Sequence, residues 1–166
     1  SSIKYGVEYG TYIYSYEEKI KIGPIKFTVT RYSYLQPFTN NSSTSVNMNT
    51  EKNLRTIEDN DWNFVATAHT HASIIAILEN IEKVLEEFGG RMTEEEFNNN
   101  WKIEKKGSEK VSDADKKLAL YFKGKAHYLV SPTGVVKKFG YDESGSYKEK
   151  IIYYSAPREK KPQYPF

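Results

Sequence analysis

The apolar residues of this chain change period twice, and that pattern limits the fold more than any other feature. They alternate in the first third, take helical spacing in the middle and alternate again in the last third. Thr11-Tyr12-Ile13-Tyr14 and the segment 27–35 are rich in Tyr and β-branched side chains and predict strands, with Gly23-Pro24 punctuating them as a turn. Positions 37–50, including Thr39-Asn40-Asn41-Ser42-Ser43-Thr44-Ser45, hold too little apolar content for anything but a loop. Trp62-Asn63-Phe64-Val65-Ala66-Thr67-Ala68-His69 then alternates into a further strand. Ile74, Leu78, Ile81, Leu85 and Phe88 recur at helical spacing with glutamates between them, predicting an amphipathic helix over 73–88 that Gly89-Gly90 stops. Thr93 and Glu96 have capping-box spacing and open a shorter helix toward Trp101, followed by an exposed loop over 105–110. Ser112-Asp113-Ala114-Asp115 opens another helix, with Ala114, Leu118 and Phe122 on one face and Gly124 at its end. Strands return at 126–130, 135–139 and 151–154, and 157–166 reads as an extended tail whose Arg158-Glu159-Lys160-Lys161 cluster is solvated. Strands then helices then strands, with no internal repeat, predict an α+β domain: a mixed β-sheet flanked by helices.

Composition narrows the chemistry. At 166 residues with 38% apolar content, the chain fits one domain, taken as 1–156 plus the tail. Its 24 basic and 22 acidic side chains leave a formal charge of +2, which gives no bulk electrostatic case for binding nucleic acid or a membrane. Without cysteine there are no disulfides, iron–sulfur clusters or thiol nucleophiles, so a metal site has to be built from three histidines and the acids. No apolar run approaches the roughly 18 residues of a membrane span, and the first residues lack the basic-then-apolar order of a signal peptide. The sequence begins Ser1-Ser2, which suggests a piece of a longer protein.

The candidate chemistry lies at the end of the central strand. Two histidines one residue apart on extended backbone point to the same face, so His69 and His71 can reach one ion. Without a third ligand, the plainer interpretation is two partly exposed histidines at a strand end. Asp115, at the start of a helix, would face the strand ends if that helix crosses the sheet. Ser112-x-x-Asp115 is also a capping box, which stabilises any helix by about 0.5–2 kcal/mol and needs no metal. The two roles are compatible, since Ser112 can cap the helix and position a water or substrate oxygen while Asp115 binds the ion. His127, in an alternating strand, reads as a core or edge histidine, and the fourteen tyrosines as strand-face packing.

His69-Thr70-His71 followed by Ser112-x-x-Asp115 resembles the His-x-His, Ser-x-x-Asp signature of the JAMM (JAB/MPN-type) zinc metallopeptidases. The chain is most similar to the JAB-like domains at the carboxyl ends of bacterial Rhs-type and contact-dependent polymorphic toxins. Their motif order matches Glu8-Tyr9-Gly10, Ala68-His69-Thr70-His71, Ser112-Asp113-Ala114-Asp115 and Tyr128-Leu129-Val130-Ser131-Pro132-Thr133-Gly134, covering roughly residues 5 to 140. The resemblance implies a JAB/MPN, cytidine-deaminase-like architecture and a zinc ion (Zn2+) held by His69, His71 and Asp115. It implies Glu8 as general base then acid and Ser112 as the donor to the oxyanion, in a hydrolase that cleaves a peptide or isopeptide bond. Glu17, Glu18, Glu51 and Glu58 compete for the role of base; Glu17 and Glu18, beside Lys19, read as a solvated turn. It further implies a toxic effector, secreted or delivered as part of a larger chain into the cytoplasm of a target cell, with a protein or peptide substrate and a cognate immunity protein. Two departures stand out: 41 positions separate His71 from Ser112, far more than is usual, with a helical insertion over about 73–110, and Ala72 stands where relatives generally have Pro. Two other readings use the same residues, a catalytically silent MPN-like binding module and a metal-dependent nuclease toxin with magnesium or manganese.

Overall fold

In a computed structural model that describes residues 7–39, 47–157 and 159–165, six strands form one sheet in the order β2-β1-β3-β4-β5-β6. The strands are β1 (Tyr9–Ile22), β2 (Ile25–Tyr34), β3 (Asn63–Thr70), β4 (Ala126–Val130), β5 (Val135–Tyr141) and β6 (Tyr147–Tyr154). Every neighbouring pair is antiparallel except β3 and β4, so the sheet is mixed. That parallel pair needs a crossover, because a tight hairpin can only return antiparallel. The crossover carries α2 (Ile74–Glu87), α3 (Glu94–Ser108) and α4 (Asp113–Tyr121), while α1 (Thr50–Asp59) lies between β2 and β3. The α+β class with a mixed sheet is therefore as expected. None of the described helices is long and apolar enough to cross a membrane.

Apolar side chains gather in three clusters. Tyr12 and Tyr14 of β1 meet Ile57 of α1 and Met48, and Trp62 stacks on Tyr14 with ring centroids 4.0 Å apart. Val111, Ala119, Leu129 and Phe139 join α4 to β4 and β5. Helices α2 and α3 have a core of their own, in which Ile74 and Leu78 of α2 pack on Met92, Phe97 and Trp101. Each fully buried aliphatic side chain there contributes about 1.5–3 kcal/mol, so the helical unit is a packed layer rather than a loose loop.

Several sequence expectations need correction. The segment 105–110 is not a loop up to its end, because α3 continues to Ser108; Lys105, Lys106 and Gly107 occupy its exposed last turn, where cations suit the helix dipole. Residues 40–46 of the expected 37–50 loop lie outside the described residues, and Thr50 already opens α1, a helix whose polar composition hides its two inward residues, Leu54 and Ile57. Glu17 and Glu18 are exposed positions within β1 rather than in a turn, and Glu18 pairs with Arg31 across the hairpin at 2.8 Å. Phe88, counted on the apolar face of its helix, is instead the exposed C-cap residue of α2. The tail is not uniformly solvated: Glu159 is buried, and Tyr164 packs against Phe97. Arg158 lies outside the described residues.

Candidate metal centre

Antiparallel pairing brings the start of β1 beside the end of β3. Tyr9 pairs with Thr70 and Gly10 with His69, so one further step of the register sets Glu8 opposite His71. Gly10 carries no side chain next to His69, which leaves that face to the imidazole. Period-two alternation turns His69 and His71 to the same side, with ring centroids 5.3 Å apart.

Asp115 arrives from the opposite direction, at the first turn of α4. Ser112 and Asp115 form the capping box their spacing predicts. The Asp115 N–H donates to Ser112 Oγ at 3.1 Å and the Ser112 N–H donates to Asp115 Oδ2 at 2.9 Å. The same carboxylate has Oδ1 3.1 Å from His69 Nε2 and Oδ2 3.6 Å from His71 Nε2. Capping and convergence on the histidines therefore coexist in one side chain. The cap uses the Ser112 oxygen as an acceptor and leaves its O–H proton available to donate.

His69, His71 and Asp115 each offer one ligand atom, and these atoms lie within 4.8 Å of one another. Buried His69 Nε2 makes no well-formed hydrogen bond, although the Asp115 carboxylate is 3.1 Å away. A buried polar atom without a partner is costly, and a cation between the three groups would satisfy it. The His71 ring is fixed from behind, its Nδ1 lying 2.8 Å from the Ser108 carbonyl oxygen. A proton on Nδ1 leaves Nε2 as a lone-pair donor facing Asp115, the arrangement metal-ligating histidines commonly have. These residues can hold a metal ion.

Electrostatics reinforce the grouping. Burial alone would raise the Asp115 carboxyl, but both imidazoles and the Ser112 N–H outweigh it and hold the group well below the usual carboxylate range. Burial acts downward on His71, yet Asp115, Glu8 and the Ser108 carbonyl raise it overall. Glu8 is pushed up to about 7, first by burial and also by Asp115, with His71 opposing. His127 is fully buried, as its strand position suggested; its Nδ1 is 2.6 Å from Thr67 Oγ1, and burial, with a smaller push from His69, pulls it down to about 4.

A cleft of about 540 Å³ opens over the three groups. Glu8, Ser112, Ser108 and Glu104 supply polar lining, Met48, Ile77 and Leu118 supply apolar lining, and no lysine or arginine lines it among the described residues. Thus all five residues singled out in the sequence, Glu8, His69, His71, Ser112 and Asp115, face one cavity. Glu51 and Glu58, on α1, line neighbouring hollows instead. Sequence reasoning missed the Ser108 carbonyl, because a backbone acceptor at a helix end has no side-chain signature. No protein-family model, curated protein or solved structure matches the chain.

Proposed function

We propose that this domain is a zinc-dependent peptidase or isopeptidase of the JAMM type. The observation that carries the reading is the convergence of Glu8, His69, His71, Ser112 and Asp115, drawn from β3, α4 and the approach to β1, on one cleft. Two imidazoles and one carboxylate are a ligand set suited to zinc that leaves a coordination position open, and the sheet order with its parallel β3–β4 crossover supports a JAB/MPN-like architecture. Bound there, zinc would act as a Lewis acid and lower the pKa of a water toward about 7.

The protein's own side chains supply the rest. His69, His71 and Asp115 would hold the ion, and the capping box keeps Asp115 in place. Glu8 takes a proton from the attacking water as its oxygen bonds to the amide carbon, then passes that proton to the departing nitrogen as the C–N bond breaks. The Ser112 O–H donates to the carbonyl oxygen as it gains negative charge. Met48, Ile77 and Leu118 give the cleft an apolar wall against which the non-reacting part of a peptide could pack.

The absence of any cation from the described lining disfavours the nuclease reading, since phosphate recognition draws on Lys and Arg. A silent binding module would have no need of a complete ligand set with a buried glutamate beside it. Delivery into a recipient cytoplasm as part of a larger toxin, and a protective partner in the producer, rest on the motif order alone. The test is to measure the metal content of the purified protein and to incubate it, with and without chelator, with cellular proteins, RNA and DNA. Chelator-sensitive cleavage of protein supports the proposal, whereas degradation of nucleic acid alone ends it.

A further inference from the structure

Groups that the reaction does not use form a closed circuit behind His71. His71 Nδ1 is 2.8 Å from the Ser108 carbonyl oxygen at the end of α3. The Ser108 hydroxyl is 3.3 Å from the Ser131 hydroxyl, in the turn after β4. Pro132 follows, and its carbonyl accepts the Glu159 N–H at 3.1 Å. The Glu159 carboxylate then accepts three hydrogen bonds from the start of α2: the Ser73 hydroxyl at 2.8 Å, the Ile74 N–H at 3.0 Å and the Ile75 N–H at 2.6 Å. Ser73 lies two residues past His71, so the circuit ends where it began.

The link through Glu159 is a built one. Its residue is 6% exposed even though the neighbouring sequence is basic and polar. Burying a carboxylate is unfavourable unless donors replace its water, and here the donors are a helix N-terminus and the hydroxyl that caps it. Ser73 serves both ends, since its oxygen also accepts the Ala76 N–H at 3.2 Å. Further along the arm, Tyr164 packs on Phe97 and its hydroxyl donates to the Met92 carbonyl, which ties the arm to the inserted helices as well.

We propose that Glu159 is a positioning residue for the metal centre: by joining the start of α2 to the β4–β5 turn it closes the ring of contacts that orients His71, so the carboxyl-terminal arm is part of the site. This rests on the reading of His69, His71 and Asp115 as metal ligands. Partners behind a ligating histidine typically alter metal affinity by about 10- to 100-fold.

The test compares the whole chain with its Glu159→Ala and Glu159→Gln variants. Zinc affinity is read by competition with a chromogenic chelator, and the His71 ring by nitrogen-15 NMR. Glu159→Ala is expected to weaken zinc binding by about tenfold or more and to lose the persistent Nδ1–H signal of His71. Glu159→Gln is expected to fall in between, because its amide oxygen can still accept from Ser73 and Ile75. A folded alanine variant with a lower melting temperature, wild-type zinc affinity and an unchanged His71 signal would overturn the proposal and leave Glu159 a helix cap only. Should the alanine variant not fold, wild-type zinc affinity in the glutamine variant overturns it equally. A wild-type protein that binds no zinc removes the metal reading itself, and this proposal with it.

Discussion

Glu8 touches the cleft but is not one of the three grouped ligands, and that separation sets its prediction. Glu8→Gln should keep zinc content at the wild-type level and lower turnover by about 10²-fold or more, whereas His69→Ala should lose both. Metal analysis alongside a peptide-cleavage assay checks this, and full activity in Glu8→Gln would mean that another group is the base. His127 permits a pH prediction away from the site. Its folded-state pKa is depressed to about 4 from 6.5, so between those values the unfolded chain binds a proton that the folded chain does not. Stability should decline as pH falls through that window, by roughly 3 kcal/mol in total for this residue. His127→Asn, which keeps a partner for Thr67, should flatten that part of the stability-versus-pH curve in denaturant titrations; an identical slope would refute the assignment.

Among the elements, α4 carries two roles that one substitution pair can separate. Ser112→Ala removes the cap and should cost about 1 kcal/mol, read as a lower melting temperature, together with a loss of turnover. Ser112→Asn restores a good N-cap residue and should recover most of the stability without the turnover, because its side chain cannot reproduce a hydroxyl donor at the same point. Recovery of both would reduce Ser112 to a cap. Helices α2 and α3 depend on their own packing: Leu78 is 2% exposed, and Leu78→Ala should lower stability by about 2–5 kcal/mol in chemical unfolding. At this scale the sequence is readable where the signal is local. The alternation of β1 and β3, the apolar stripe of α2 and the capping boxes at Thr93 and Ser112 all lie within a few residues. Helix α1 and the last turn of α3 escape notice because their residues are mostly solvent-facing, so polarity masks the helical period. The His pair is legible for the same local reason, whereas Asp115 reads locally only as half of a capping box, and its place beside the histidines, 44 positions away, is what the resemblance implied. The Glu159 link is not legible, since its partners lie 84 to 86 positions away and no nearby pattern marks them.

Over the whole molecule, the outer half of the β1–β2 hairpin projects past the core, with Ile22 64%, Ile25 62% and Phe27 41% exposed. Ile20, Ile22, Ile25 and Phe27 share one face by register, and Lys19, Lys21 and Lys26 share the other. Placing a lysine at residue 25 should change stability by no more than about 0.5 kcal/mol, because the side chain packs on little. It should also lower concentration-dependent self-association measured by light scattering, since an exposed apolar edge strand invites pairing. The cleft itself is assembled from distant parts of the chain: Glu8, the histidines, Ser112 and Asp115. A polypeptide made from its amino end would therefore carry Glu8 and the two histidines without their carboxylate partner until α4 had been added.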